Sequence, residues 1–443
     1  MAKKKQALSP EERLAAALVP EEEWPYALPD GWKWVYLSGI LDVSKEKTEE
    51  FPPDTKYVGL ENIEKDTGRI QAVDAEGIRS TKNIFEAGNI LYGKLRPYLN
   101  KHGIAEFDGV CSTDILVFQT APSVEKELLN RYFDLPQFIS FAVSHSKGIN
   151  LPRVSAKEIL TARMPLPPLS EQHRLVARIE SLFAKLDAAK EKVQSVLDSH
   201  ETRKAALLHA AFTGKLTAKW REEHQTELRE SKQFPSKLKS APNHADALAG
   251  KWALVRLGDV IAWSSGGTPS RKHPEYYSGD IPWVKTGELN NTYIYDTSEK
   301  ITKEAIAQSN AKVLPVNTVL LAMYGATIGK VGILGVEAAT NQACACGICS
   351  EWVDYRFLFY YLQSQKSSFI CSGKGGAQPN ISQTIIKQYE FPLPSLPEQQ
   401  EIIRILDRLL AREQRARQAA EETLAAIDRM KQAILARAFR GEL

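Results

Sequence analysis

One octapeptide occurs twice in the chain, first as Pro165-Leu166-Pro167-Pro168-Leu169-Ser170-Glu171-Gln172 and again, 227 residues later, as Pro392-Leu393-Pro394-Ser395-Leu396-Pro397-Glu398-Gln399. From each copy the alignment continues without a gap to Leu216 and Leu443, with 17 identities in 52 pairs. Upstream, Trp32, Val35 and Leu37 match Trp252, Val255 and Leu257 at an offset of 220. An ungapped match of this length indicates two diverged copies of one module, which differ by insertions in loops.

Two long helices are predicted directly after the octapeptides. Ser170 and Pro397 suit helix beginnings, while Gly214 and Gly441 stand where helix C-caps are expected. Apolar residues recur at steps of three and four, which is typical of a helix that packs lengthwise on another. A single amphipathic rod cannot bury its own stripe, so we expect the two helices to pack antiparallel as a spacer. The predicted packing residues are Leu175, Ile179, Leu182, Leu186, Val193, Ile402, Leu406, Leu409 and Leu424.

The region before each helix combines short strands with short helices. In the second copy, residues 252–257, 318–323 and 331–334 read as strands and residues 353–363 as a helix. In the first copy, residues 89–92 and 115–118 read as strands, followed by a helix over 128–141. Residues 217–250 are polar and contain Pro235 and Pro242, which is typical of a linker.

Composition excludes several classes of protein. The 443 residues are 43% hydrophobic and 25% charged, which excludes a disordered chain or a disulfide scaffold. Lys+Arg of 57 against Asp+Glu of 54 leaves a net charge of +3, so any nucleic-acid surface must come from local placement of charge. Five sparse cysteines predict reduced thiols. With no secretory signal and no membrane span recognised, we expect a cytoplasmic protein.

Both copies carry cationic, amide and tyrosine side chains near glycine turns. Lys and Arg neutralise phosphates, while Asn, Gln and Arg read base edges through paired hydrogen bonds, so a set of these residues favours DNA contact. For any single residue the alternative is a solvated loop charge. The candidates are Lys82, Lys94, Arg96, Tyr98, Lys101, Asn150 and Arg153 in the first copy, and Ser270, Arg271, Lys272, Lys285, Thr286, Tyr324, Lys330, Asn341, Lys374, Gln378 and Asn380 in the second.

No catalytic constellation is recognised, and no metal site is predicted. Residues 325–330 resemble a phosphate loop but are one residue short and are followed by valine instead of Ser or Thr. Cys344, Cys346 and Cys349 have no second Cys/His pair at zinc spacing, so buried thiols are the expected reading. Asp30, Asp54 and Lys56 meet a loose metal-nuclease pattern that arises easily by chance.

The sequence resembles the DNA-specificity subunits of Type I restriction–modification systems over nearly its whole length. The second copy matches best, through residues 265–270, 279–285, 323–329, 341–343 and 376–382. The tails match in Pro-Leu-Pro-x-Leu-x-Glu-Gln and in residues 214–221. The first copy departs from the second, with Asn150-Leu151-Pro152-Arg153 opposite Ala377-Gln378-Pro379-Asn380, so the two copies should read different bases.

The resemblance implies an α+β fold: two α/β target-recognition domains related by a pseudo-twofold axis and joined by two long antiparallel coiled-coil helices. The expected domains are an N-terminal extension (1–25), target-recognition domain 1 (26–168), spacer helix 1 (169–216), a linker (217–250), target-recognition domain 2 (251–396) and spacer helix 2 (397–443).

The resemblance also implies a non-catalytic subunit that recognises an asymmetric, bipartite site on double-stranded DNA. Two adenine methyltransferase subunits would dock on it and carry S-adenosylmethionine, so no cofactor is expected in this chain. Restriction subunits that translocate and cleave DNA would join them.

The second copy stops at Leu443 and offers no counterpart to residues 217–221, which follow the first copy. We expect Ser9–Pro25 to pack in the place of that counterpart. Two alternatives to the whole reading stay open: a non-catalytic scaffold whose twin modules bind protein, and a self-contained nuclease that depends on Asp30, Asp54 and Lys56.

Overall fold

The computed structural model describes residues 9–65, 67–230, 252–373 and 380–443. The chain divides into two compact units, of which unit 1 comprises Met1–Ser195 and Ala420–Leu443 and unit 2 comprises Val196–Ala419. Each unit therefore contains one variable region, the beginning of the helix that follows this region, and the end of the other long helix.

Unit 1 begins with a short capped helix and then alternates strands with short helices. The Ser9 hydroxyl and the Glu12 carboxylate form a capping box at the start of the first helix. The helices are α1 (Pro10–Ala16), α2 (Lys126–Phe133), α3 (Pro136–Ser144), α4 (Ala156–Ile159) and α5 (Leu169–Asp198). The strands are β1 (Lys33–Tyr36), β2 (Leu41–Val43), β3 (Lys47–Thr48), β4 (Lys56–Val58), β5 (Val73–Asp74), β6 (Lys82–Phe85), β7 (Ile90–Gly93), β8 (His102–Ile104), β9 (Gly109–Cys111), β10 (Ile115–Thr120) and β11 (Arg163–Leu166).

The strands of unit 1 form three sheets. β1 pairs with β11, a second sheet has the order β2-β10-β7-β8, and a third has the order β3-β6-β9-β4-β5. Only the β4–β9 pair is parallel among these described pairings. The main core lies between the second sheet, α2, α3 and α5, and its largest fully buried side chains include Tyr92, Phe118, Phe133 and Phe138. The helix predicted over 128–141 is interrupted before Pro136, because proline starts a helix more readily than it continues one.

Unit 2 repeats this plan with additional elements. Its helices are α6 (His200–Phe212), α7 (Ala218–Glu223), α8 (Gln225–Glu230), α9 (Leu257–Val260), α10 (Lys303–Ala307), α11 (Tyr355–Ser364), α12 (Lys366–Ser372), α13 (Gln383–Gln388) and the part of α14 (Leu396–Ala438) up to Ala419. Its strands are β12 (Ala253–Arg256), β13 (Ile261–Ser265), β14 (Ile281–Val284), β15 (Tyr293–Ile294), β16 (Lys300–Ile301), β17 (Val319–Ala322), β18 (Val331–Leu334), β19 (Ala339–Thr340), β20 (Cys344–Cys349) and β21 (Glu390–Leu393).

The sheets of unit 2 correspond to those of unit 1. The β12–β21 pair matches β1–β11, the sheet β13-β20-β17-β18-β15 matches β2-β10-β7-β8, and the sheet β16-β14-β19 contains the parallel pair β14–β19 that matches β4–β9. The duplication read from the sequence is therefore a duplication of topology. Among the described helices of both units, none has the length and apolar character that a membrane crossing requires.

The first long helix is interrupted, which the sequence did not predict. α5 ends at Asp198 and α6 begins at His200, with Ser199 as a turn between them. The Val196 carbonyl, which an uninterrupted helix would pair with a backbone N–H, accepts hydrogen bonds from the Ser199 hydroxyl and from Arg203 Nη2. These side chains compete with the helical ladder and explain a break that contains neither proline nor glycine.

The two long helices run antiparallel where they meet within unit 1. Lys190 Nζ lies 3.3 Å from Asp428 Oδ1, and Lys431 Nζ lies 2.5 Å from Asp187 Oδ1. Residue numbers decrease along α14 as they increase along α5, so the two helices are antiparallel. Of the predicted packing residues, Leu175, Ile179, Ile402 and Leu406 are fully buried, whereas Leu182, Leu186, Val193, Leu409 and Leu424 are only partly buried.

The conserved glutamine of each octapeptide joins a long helix to its recognition module. In unit 1, Gln172 Oε1 accepts from the Glu125 N–H at 2.7 Å, and Nε2 donates to the carbonyls of Ser123 and Pro167. In unit 2, Gln399 repeats all three bonds with Asp354, Trp352 and Pro394. Both amides are at most 1% exposed and fully engaged, so the joint is rigid and identical in the two units.

The two octapeptide glutamates differ sharply in their surroundings. Glu398 is 2% exposed and accepts hydrogen bonds from Thr217 Oγ1, Arg221 Nε and Trp252 Nε1 at 2.8 to 2.9 Å. The expected linker therefore begins later than residue 217, because Thr217–Arg221 is packed against this carboxylate; residues 231–250 lie outside the described part of the chain. Glu171 is partly exposed and pairs with Arg174 at 3.1 Å.

The N-terminal segment does not replace residues 217–221 in unit 1, so that expectation is wrong. Its backbone lies along the free edge of β1, where the Val19 N–H donates to the Trp34 carbonyl and the Tyr36 N–H to the Ala17 carbonyl, each at 2.9 Å. Trp32 Nε1, the counterpart of Trp252 Nε1, is buried and has no hydrogen-bond partner among the described residues.

Candidate DNA interface

The two units share a backbone frame at the end of their central strands. In unit 1 the N–H of Lys94 donates to the Asp114 carbonyl, and the Lys94 carbonyl accepts from the Val154 N–H. In unit 2 Met323 makes the same two bonds, with Ala343 and Ile381. The next residue of each strand forms an isolated bridge, Leu95 with Arg153 and Tyr324 with Asn380. The frame therefore fixes which side chains occupy equivalent positions.

In unit 1 the frame gathers cations around one carboxylate. Arg153 Nε lies 3.1 Å from Asp114 Oδ1, and Lys94 Nζ lies 3.8 Å from the same oxygen. Asn150 lies at the exposed tip of a turn closed by two 2.9 Å backbone bonds between Lys147 and Arg153. Asp114 orients the two cations without neutralising both, because one carboxylate balances one charge. Sequence reasoning missed Asp114, which is 39 residues from Arg153.

The loop after β7 also presents Arg96 and Tyr98 to solvent. Tyr98 is 51% exposed, and Arg96 is exposed and adopts a left-handed backbone conformation with φ of 53°. The equivalent position in unit 2 is Gly325, with φ of 62°. A non-glycine residue in this region costs about 1–2 kcal/mol, and strain of this kind concentrates at functional sites.

In unit 2 the four equivalent frame positions carry neutral residues. Tyr324 is 44% exposed and lies beside Asn380, and Lys330 is partly exposed at the end of the loop. Two further predicted contacts, Lys374 and Gln378, lie outside the described residues. The frame thus carries Met, Tyr, Gly and Asn where unit 1 carries Lys, Leu, Arg and Arg.

A second group of candidates in unit 2 surrounds Glu299. Lys285 Nζ and Arg271 Nη2 each lie 2.7 Å from this carboxylate, and the Arg271 guanidinium stacks 3.9 Å from the Tyr277 ring centroid. The pKa of Glu299 is lowered, first by the hydrogen bond from Lys285 and then by Arg271, against an opposing effect of burial.

Neighbouring candidates extend this second group. Thr286 follows Lys285, and Asn341 follows β19, which pairs in parallel with β14, so these residues meet at the carboxyl ends of two strands. Ser270 and Lys272 are exposed on the adjacent turn. The Asn341 N–H donates to the carbonyl of Val284, the last residue of β14, and the Ser112 N–H donates in the same way to Val58, the last residue of β4. The positions of unit 1 equivalent to Lys285 and Asn341 are therefore Gly59 and Ser112.

Two predicted contacts of unit 1 are directed inward and are removed from the candidate interface. Lys82 is 7% exposed and its ammonium donates to the Ser80 carbonyl and hydroxyl. Lys101 Nζ donates to the Leu60 carbonyl at 2.7 Å. Sequence pattern alone does not separate these structural lysines from solvent-facing ones, because lysines of both kinds stand next to strands, such as Lys82 at the start of β6 and Lys94 after β7.

The candidate catalytic groups show no assembled centre. The described residues contain no cluster of three or more His, Cys, Asp or Glu side chains able to hold a metal ion. Burial raises the pKa of Cys346 to about 11 and that of Cys349 to about 12, so both thiols stay protonated at neutral pH. Asp30 precedes β1, whereas Asp54 and Lys56 lie at a different sheet, and the Lys56 ammonium lies 4.6 Å from the Phe107 ring centroid.

Comparison with known proteins places this fold among DNA-specificity proteins. The family model described as Type I restriction modification DNA specificity domain matches residues 29–197 and 249–422. The EcoDI specificity subunit of Escherichia coli is 32% identical over 60% of this chain, which spans 56% of that relative. The EcoBI specificity subunit of Escherichia coli is 26% identical, covering 75% of this chain and 70% of that relative.

Two solved structures share the fold. A chain from a study of assembly and conformational transition of the type I R-M system superposes with a TM-score of 0.74 at 21% identity, covering 95% of this chain and 100% of that one. The HsdS subunit from Thermoanaerobacter tengcongensis gives 0.58 at 22% identity, with coverage of 95% and 100%. The chain belongs to the family of type I restriction–modification DNA specificity domains, and its family role is target recognition rather than catalysis.

Proposed function

We propose that the chain recognises an asymmetric, bipartite site on double-stranded DNA, with each unit reading one half. The observation that carries this proposal is the shared backbone frame with different side chains. Arg153 of unit 1 occupies the position of Asn380 in unit 2, and Arg96 occupies that of Gly325. Arg pairs best with guanine and Asn with adenine in the major groove, so one frame with two sets of groups supports two different half-sites.

We also propose that two adenine methyltransferase subunits dock on the chain and bind S-adenosylmethionine, which leaves this chain without a cofactor. Restriction subunits would join the same complex. The long helices support this arrangement, since an antiparallel helix pair with exposed outer faces can fix a distance between half-sites and offer surface to partners. We propose the predicted domain boundaries for this assembly, with the linker starting after residue 230.

The decisive experiment is methylation mapping in cells that express the chain with its cognate methyltransferase, repeated after residues 26–168 are exchanged for those of a relative. We expect adenine methylation at a split motif, in which only one half changes on exchange. A continuous motif, or one that changes in both halves, would contradict two independent readers.

A binding assay with the purified complex tests the individual contacts. Replacing Arg153 by Asn should weaken binding to the cognate duplex by about 1–3 kcal/mol and relax specificity in one half-site. The matched exchange, Asn380→Arg, should affect the other half-site. Binding that shows no dependence on salt and no preference for sequence would favour the protein-binding scaffold instead.

A further inference from the structure

Unit 1 closes a groove with its own N-terminal segment. The groove lies between the end of α14 and the β1–β11 pair, and Tyr26 fills it. The Tyr26 hydroxyl donates to the Phe439 carbonyl at 2.9 Å, and its ring packs edge-on against Trp34 at 5.0 Å between centroids. The Arg440 guanidinium lies 5.8 Å from the Tyr26 ring centroid. Trp34 is consequently only 3% exposed.

The same segment is anchored by charge at its other end. Arg163, at the start of β11, donates from Nη2 to Glu23 Oε2 at 2.7 Å and from Nη1 to the Glu23 carbonyl at 2.8 Å. An aromatic residue and an acidic residue three positions earlier thus hold Glu23–Tyr26 in the groove.

The equivalent groove of unit 2 is a cavity of about 950 Å³. Its floor consists of Leu208, Phe212 and Tyr361, and Leu254 stands at the position of Trp34. The equivalence is fixed by the offsets of 227 and 220, and by the tyrosines Tyr132 and Tyr361, whose hydroxyls donate to the carbonyls of Arg163 and Glu390. Leu254 is partly exposed, in contrast to the buried Trp34.

The charges at the rim differ from those of unit 1. Glu390 stands at the position of Arg163, and Thr213 stands at the position of Arg440. Where unit 1 has an arginine that binds the Glu23 carboxylate, unit 2 therefore has a carboxylate. Lys204 and Lys366 also line the cavity, so the preference for a cation applies at the Glu390 end, where the segment of unit 1 has Glu23. The residues at the corresponding distance before β12 are Asn243-His244-Ala245-Asp246, which offer neither the tyrosine nor the tryptophan of Glu23-Trp24-Pro25-Tyr26.

We propose that the unit 2 groove binds an extended segment of another protein that carries an aromatic residue three positions after a lysine or arginine. The aromatic ring lies over Leu254 and Phe212, and the cation pairs with Glu390. A cavity of this size with an apolar floor and a few charges at the rim has the character of a binding site. None of the proposed DNA contacts lines the cavity, although Gly329 at its edge precedes Lys330. The proposal does not depend on those contacts.

Synthetic peptides test this groove in the full chain. The first fluorescent probe copies residues 20–28, and the second carries the E23K change, which converts its acid into the cation the groove requires. We expect the E23K peptide to bind the wild-type chain at least about tenfold more tightly than the copy, in fluorescence polarisation. The variant Glu390→Arg restores the charge found in unit 1, so it should reverse the preference.

Two alanines of α6 provide a blocking variant and its control. Ala205 lines the cavity, whereas its exposed neighbour Ala206 is not part of the lining. Ala205→Trp should abolish binding of the E23K peptide, Ala206→Trp should leave it unchanged, and both should melt at the wild-type temperature and keep wild-type affinity for DNA.

Two results would overturn the proposal. One is binding without charge preference, or no binding, by a wild-type chain of native melting temperature. The other is binding that appears only after residues 243–248 are replaced by a Gly-Ser sequence, which would assign the groove to the chain's own preceding residues. If the wild-type chain bound the E23K peptide as expected but its complex showed no sequence-specific DNA binding, that result would contradict the proposed function and leave the groove proposal intact.

Discussion

The loops 94–101 and 323–330 have one backbone and two surfaces. Each loop follows a central strand and is closed by a hydrogen bond from the N–H of the last strand residue to the carbonyl of the last loop residue. Each also contains left-handed residues at the same two positions, Arg96 and Asn100 in one loop and Gly325 and Gly329 in the other. The first presents Lys94, Arg96 and Tyr98, while the second presents Tyr324 beside glycines. The comparison teaches that the frame and the recognition chemistry are encoded by different residues.

The largest expected effect concerns the two octapeptide glutamates. Glu398→Ala should lower the free energy of unfolding by about 3 kcal/mol or more, because it leaves the Arg221 guanidinium without its buried partner. Glu171→Ala should cost less than about 1 kcal/mol, since its pair with Arg174 is partly exposed. Chemical denaturation of both variants measures the difference. Equal costs would show that the two units are supported alike at this position.

The two octapeptide glutamines should behave alike. Gln172→Ala and Gln399→Ala each remove one acceptor and two donor bonds to buried backbone groups, and each should cost about 2 kcal/mol. The same denaturation measurement checks both. A difference of more than about 1 kcal/mol between them would break the equivalence of the joints.

Exchanging the left-handed residues Arg96 and Gly325 distinguishes an effect on backbone stability from an effect on DNA binding. Arg96→Gly should leave stability unchanged or raise it by about 1 kcal/mol, because glycine adopts this conformation without strain. The same variant should weaken DNA binding and reduce the salt slope by about one unit if Arg96 contacts a phosphate. The reciprocal Gly325→Arg should destabilise the chain. Melting and salt titration of both variants provide the measurements.

The smallest expected effect is a pH dependence at Glu299. Its pKa is lower in the folded chain than in the unfolded one, so its ion pairs with Lys285 and Arg271 stabilise the fold above the ordinary glutamate pKa. This contribution is lost as the pH falls from about 5 through the folded pKa. The melting temperature of the wild type should therefore drop more between pH 7 and pH 3 than that of Glu299→Gln. Glu304→Gln, an exposed carboxylate of α10, serves as the control.

The sequence repeat was sufficient to predict the features that the two copies share. The duplication, the antiparallel helices and the buried residues Leu175, Ile179, Ile402 and Leu406 follow from spacing alone. It did not predict that Phe183, rather than Leu182, would be the buried neighbour, because the module core and not only the other helix covers this face of α5. Whether the solvent-facing candidates contact DNA stays a prediction.

The remaining differences arise from contacts that only the folded chain reveals. Asp114 and Arg153 are 39 residues apart. Lys82 and Ser199 form short-range bonds, to Ser80 and to Val196, that depend on how each side chain is turned in the folded chain. Local pattern contains no signal for them, since the same residue types occur at exposed turns elsewhere in the sequence.

The glutamine joint has a consequence for how such proteins diversify. Gln172 and Gln399 bind only main-chain atoms of the module that precedes them, and every polypeptide offers those atoms whatever its side chains are. A different module can therefore keep these glutamine bonds whatever its own side chains are. The specific fit between module and helix is left to neighbouring side-chain pairs, such as Arg131 with Glu180 and Arg356 with Asp407, so a change of module would have to be matched there and not at the glutamine.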